Sequence, residues 1–106
     1  MPKYLFEARY SADGAKGVAK EGGAGRRAAI AKMAESVGGK LESFYFAFGG
    51  VDAYITADLP DNASAAAVAL AVSQAGAATA KTVVLLTPEE MDKAANTRVD
   101  YRPPGR

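Results

Sequence analysis

The chain has 106 residues, 49% hydrophobic and 24% charged, with 13 basic and 12 acidic side chains and a net charge of +1. That length suits one domain, and the near-neutral balance leaves no electrostatic footprint for nucleic acid or an anionic membrane. Cysteine and histidine are both absent, which excludes disulfides, thiolate nucleophiles, Ser-His-Asp triads, histidine-ligated haem and most zinc sites. Any catalysis falls to Asp, Glu, Tyr, Lys or Arg, or to a bound group.

In chain order, Lys3 to Tyr10 is aromatic-rich, free of breakers and strand-like. Ser11-Ala12-Asp13-Gly14 turns into a helical pattern that runs to Val37. Gly22-Gly23-Ala24-Gly25 interrupts it. Each glycine costs a helix interior about 1 kcal/mol, so a first helix ending at Glu21 and a second over Arg26 to Val37 are expected. The second puts Ile30, Met33, Ala34 and Val37 on one face, and Gly38-Gly39 stops it.

Gly39 to Pro60 then reads as two long strands joined by a tight Gly49-Gly50 turn. The first offers Phe44, Phe46 and Phe48 on one side and Leu41, Ser43, Tyr45 and Ala47 on the other. The second alternates Ala53, Ile55, Ala57 and Leu59 with Asp52, Tyr54, Thr56 and Asp58, the period of a sheet with one packed face. Asp61-Asn62 caps an alanine-rich helix to about residue 75. A fourth strand follows over Ala77 to Leu86. Thr87-Pro88-Glu89-Glu90 is a capping-box start for a short helix, about 88–95. The tail, 97–106, is stiffened by Pro103-Pro104 and reads either as a frayed end or as an arm laid on a neighbouring subunit through Val99 and Tyr101.

The order βαββαβ, plus a short last helix, predicts a single α+β domain over 1–106. It is a ferredoxin-like antiparallel sheet with both long helical segments on one face. Alanine buries little area, so the core is expected to be thin and an added hydrophobic interface welcome. The other sheet face has no helix to cover it. It carries Leu5, Glu7, Arg9, Tyr54, Thr56, Thr79, Lys81, Val83 and Leu85. Burial of that mixed face against a second copy would leave a chamber holding Glu7, Arg9, Tyr54 and Lys81. The plainer reading sends those charges to solvent at the sheet edges.

Asp52 and Glu7 are the candidate general bases. Arg9, Lys81, Tyr45 and Tyr54 are the candidate ligand contacts. Arg26 and Arg27, beside the glycine run, are candidates for an anion, although the run lacks the phosphate-loop pattern and follows no strand. Asp52 serves equally as a cap for turn amides. No spacing suggests a metal site, and no cofactor is expected. The chain enters a strand at once and no apolar run spans a membrane, so a cytoplasmic location is the default expectation.

Several blocks resemble the GYD-domain family across nearly the whole chain. They include Tyr4-Leu5-Phe6, Lys20-Glu21-Gly22-Gly23 with Arg26-Arg27, Gly38-Gly39-Lys40-Leu41-Glu42 and Phe44-Tyr45-Phe46-Ala47-Phe48-Gly49. Further on come Asp58-Leu59-Pro60-Asp61-Asn62, Leu85-Leu86-Thr87-Pro88-Glu89-Glu90 and Tyr101-Arg102-Pro103-Pro104-Gly105. The family's Phe-Gly-x-Tyr-Asp signature falls on Phe48-Gly49-Gly50-Val51-Asp52, with Val51 in the tyrosine position. The resemblance implies kinship with dimeric α/β barrels, a group of cofactor-free monooxygenases, lactone isomerases, dehalogenating and decarboxylating enzymes, haem enzymes and sensing modules. It selects no reaction. Three functions stay open at this point: a homo-oligomeric small-molecule-binding or regulatory domain; a cofactor-independent isomerase or monooxygenase acting on an enolisable or phenolic compound; and a structural oligomerisation module.

Overall fold

The computed structural model describes residues 1–106. Strand β1 (Lys3–Tyr10) leads to helices α1 (Ala12–Glu21) and α2 (Gly23–Ser36). Strands β2 (Lys40–Phe46) and β3 (Ala53–Asp58) follow, then α3 (Asn62–Ala75), β4 (Ala78–Leu85) and α4 (Pro88–Ala95). The strands form one antiparallel sheet in the order β2-β3-β1-β4. That is the α+β, ferredoxin-like arrangement.

Local chemistry sets the element ends. The Ser11 hydroxyl accepts the Gly14 N–H at 3.1 Å to start α1. Gly22, at φ 86°, separates α1 from α2. Asp61 accepts the Ser64 N–H at 2.8 Å to start α3, and that bond holds its carboxyl below the usual range. At α4 the Thr87 hydroxyl accepts from the Glu90 N–H at 3.1 Å, and the Glu90 carboxylate accepts from the Thr87 N–H at 3.0 Å.

The core lies between one sheet face and α2 and α3. Tyr4, Phe6, Ala8, Ala53, Ile55, Ala57 and Leu59 meet Ile30 and Ala34 of α2 and Ala65 and Val68 of α3. Alanine makes up nearly half of this cluster, so the layer is thin. The buried Tyr4 hydroxyl donates to Asn62 Oδ1 at 2.7 Å, which ties β1 to the start of α3.

Four sequence expectations need correction. The hairpin has no tight Gly-Gly turn: Ala47 to Asp52 connects the strands, and Phe48 there is wholly exposed. The β2–β3 register ends at Phe46↔Ala53: the Ala47 N–H still donates to the Asp52 carbonyl at 2.9 Å, but the Asp52 N–H turns to the Ala8 carbonyl of β1 at 2.8 Å. Leu41 does not share a face with Ser43 and Tyr45. The register slips between Leu41 and Ser43, so Leu41 pairs with buried Ala57 and packs on the core. The extra residue, Glu42, inverts the alternation as a β-bulge does. Helix α2 starts at Gly23 rather than Arg26, since only Gly22 leaves helical geometry. β4 is a residue shorter at each end than expected.

The chain exposes 7472 Å², whereas size scaling gives about 5,600 Å² for a monomer of this mass. Its radius of gyration is 16.8 Å and its extents are 56 × 32 × 22 Å, against about 13 Å for a compact chain of this length. Two regions contribute to the excess. One is the sheet face opposite the helices. The other is everything after β4: each residue from Leu86 to Arg102 is exposed.

Candidate functional site

The open sheet face has two ends of different character. At one, the charges are satisfied within the chain. Lys3 Nζ bonds Asp58 Oδ1 at 2.9 Å and also the Glu42 carboxylate that the bulge turns outward. Glu42, then Asp58, push the Lys3 pKa above its ordinary value. Thr56 donates to Glu42 at 3.1 Å, and the Ser43 and Thr56 hydroxyls lie 2.6 Å apart. This end is held together by its own groups.

The other end is different. Glu7 stands directly opposite Tyr54 on β3 and Lys81 on β4, and Tyr54 stands opposite Tyr45. Tyr45, Tyr54, Glu7 and Lys81 therefore form one transverse row. One pair further along, Arg9 faces Thr79. A depression of about 250 Å³ opens here, lined by Glu7, Arg9, Val51, Thr79, Ala80 and Lys81. No ion pair takes up Glu7, Arg9 or Lys81. The guanidinium of Arg9 reaches to 4.0 Å from where a Cβ on Gly50 would sit, so the β2–β3 connection edges the site. Tyr45 is largely exposed and Tyr54 partly so. One carboxylate, two cations and a tyrosine row thus share one patch, with no ion pair inside the chain using those three charges.

Asp52 belongs elsewhere. Its Oδ2 accepts the Tyr10 N–H at 2.8 Å, and it does not line the depression. It stitches the β2–β3 connection to the end of β1. Arg26 is also on the helix side, 3.6 Å from Glu21 and beside Tyr10, while Arg27 is exposed. The two neighbouring arginines diverge because successive helix residues are about 100° apart. Of the glycines before them, Gly23 and Gly25 lie inside α2 and only Gly22 stands outside it, so the run forms no anion-cradling loop. Sequence reasoning missed Tyr10, which shares the parity of Tyr4, Phe6 and Ala8 and is half-buried. Burial pushes its phenol above the ordinary range, Arg26 opposes that, and Asp52 and Glu21 add smaller upward effects.

Between helices and sheet lies an apolar cavity of about 50 Å³, under Phe6, Ile30, Met33, Val68 and Val72, with Arg26 the one charged side chain on its lining. Apolar cavities that take a benzene ring measure about 150 Å³, so an aromatic ligand does not fit here without widening. No group of three or more carboxylates converges as a metal site would require. No helix is long and apolar enough to cross a membrane.

The fold and this patch define a ferredoxin-like domain with one sheet face left open. The GYD domain family model matches residues 4–95 of the 106, and the chain belongs to that family. No curated protein and no solved structure matches it. Val51, which stands where the family signature has tyrosine, is one of the residues lining the depression.

Proposed function

We propose that this domain binds a small aromatic or enolic anion at the Glu7-Arg9-Lys81 depression, in a chamber closed when a second copy lays its sheet over the first. One observation carries the reading. Charges at one end of the face are mutually satisfied, whereas these three, on the same face, are not. Two free cations suit a carboxylate, phenolate or enolate, and the Tyr45–Tyr54 row offers ring surface beside them. Closure by a second copy would exclude water and strengthen each of these contacts.

An enzymatic use of the same chamber is the second reading. Glu7 sits across from Lys81 and Tyr54 at the cross-strand spacing of about 5 Å. A carboxylate there would take a proton from a carbon beside a carbonyl, with Arg9 or Lys81 holding the developing enolate oxygen.

Native mass spectrometry of the freshly purified full-length protein reports subunit count and any retained molecule. Titration with benzoate, followed by NMR, is expected to shift the resonances of Glu7, Arg9 and Lys81. The Arg9→Ala, Lys81→Ala double variant is expected to weaken binding roughly tenfold or more. Glu7→Gln is expected to spare benzoate binding but to abolish turnover of any enolisable substrate found. A dimer with no retained molecule, and no response of those resonances to benzoate or phenolate, would refute ligand binding and leave a structural oligomer.

A further inference from the structure

We propose that α4 and the segment after it, through Tyr101, form an arm that packs on a second copy of this chain, along the rim of β4. The proposal shares with the proposed function only the second copy; the arm and its landing place rest on separate observations.

The first is the state of α4. It has a complete capping box, proline at its first position, glutamates in its first turn and a lysine in its last. Yet it has eight residues and none is buried. A helix this short is marginal in water and is stabilised mainly by packing an apolar stripe. Met91, Ala94 and Ala95 supply such a stripe at helical spacing. Val99 and Tyr101 extend the apolar surface beyond it, exposed by 75% and 69%.

The second is β4. It is an edge strand, paired only to β1. Thr82-Val83-Val84-Leu85-Leu86 contains no charge, no proline and no bulge, the devices that protect a free edge. Val84 and Leu86 are more than half exposed, so α3 leaves this end of the strand uncovered.

The third is area and symmetry. The chain exposes about 1,900 Å² more than the monomer scaling allows, while a standard interface takes about 800 Å² from each partner. That excess is more than one partner contributes to a standard interface. The arm follows directly from the uncovered end of β4. A two-fold axis near that end brings each arm onto the other copy's rim, the reciprocal contact that closed dimers require. A net charge of +1 sets little repulsion between copies.

The chain has no cysteine, so single sites can be introduced cleanly. Full-length Val84→Cys and Tyr101→Cys proteins are mixed and mildly oxidised. The expected product is a covalent heterodimer joining residue 84 of one chain to residue 101 of the other. Leu70→Cys, exposed on α3, replaces Val84→Cys as the control for random collision. In parallel, Val99→Asp with Tyr101→Asp is expected to weaken association roughly tenfold or more by sedimentation. Both positions are exposed in their own chain, so the fold is not at stake. A wild-type dimer with no 84–101 link, or one no stronger than the control, overturns the arm and leaves the sheet-face dimer standing. Asp variants that associate as tightly as wild type do the same. A wild-type chain that stays monomeric at about 100 μM, far above the Kd of a stable dimer, overturns both.

Discussion

Gly14 carries the junction between α1 and the entry to β4, and its replacement by alanine tests the packing directly. A Cβ built there lies 1.9 Å from the Ala77 carbonyl oxygen and 2.9 Å from its carbon. Those are backbone atoms, so no side-chain rotation relieves the clash. The same carbonyl accepts the Ser11 N–H at 2.9 Å and the Ser11 hydroxyl at 3.2 Å. Overpacking costs about 1–3 kcal/mol, and a displaced hydrogen bond adds about 1 kcal/mol. Alanine's better helix propensity returns only about 0.5–1 kcal/mol. Gly14→Ala is therefore expected to destabilise by about 1–3.5 kcal/mol, which lowers Tm by roughly 5–15 °C for a domain this size. Gly17, one turn along the same helix, has no atom within 4 Å of its would-be Cβ. There the propensity gain stands alone, and Gly17→Ala is expected to raise Tm by a few degrees. Thermal and urea unfolding followed by circular dichroism measure both. Equal Tm values for the two variants would refute the close approach of α1 to Ala77.

Two further outcomes follow from the helix-side end of the sheet. The Tyr10 phenol is raised in the fold, so its contribution to stability is fully present below the unfolded value near 10 and is lost as pH rises through the folded value. Absorbance at the phenolate band is expected to show one tyrosine titrating late, and Tyr10→Phe to remove part of the alkaline loss of stability. If Tyr10→Phe and wild type decline identically with pH, the burial argument fails. Asp52→Ala removes the acceptor for the Tyr10 N–H and is expected to cost about 2 kcal/mol in urea unfolding. Asp52→Asn keeps an acceptor oxygen and is expected to cost less, with benzoate binding unchanged. Loss of binding in the Asn variant, with stability intact, would return Asp52 to the site.

The fold was legible because its signals are local and redundant. Period-2 alternation in Ala53 to Leu59, the Thr87-Pro88-Glu89-Glu90 start and the glycine at position 22 each act through a few neighbouring atoms. The bulge at Glu42 was not legible: one surplus residue is decided by which β3 partner each β2 residue finds, and Leu41 chose the core. Phe48 misled because it continues the aromatic alternation of Phe44 and Phe46, yet pairing ends where Asp52 turns to β1. At the site, Glu7, Arg9, Tyr54 and Lys81 could be grouped from strand parity alone. That their end of the face is the unsatisfied one could not, since Lys3, Glu42 and Asp58 meet only through the register. Arg26 and Arg27 were inseparable by type, and the helical turn between them sends only Arg26 toward Tyr10.

The slip at Glu42 divides β2 into two pieces with separate obligations. Before it, Leu41 seats the strand on the alanine layer; after it, Ser43 and Tyr45 look toward whatever lies across the sheet. Because the surplus residue uncouples the two, a substitution in the outward piece leaves the seat on the alanine layer where it is.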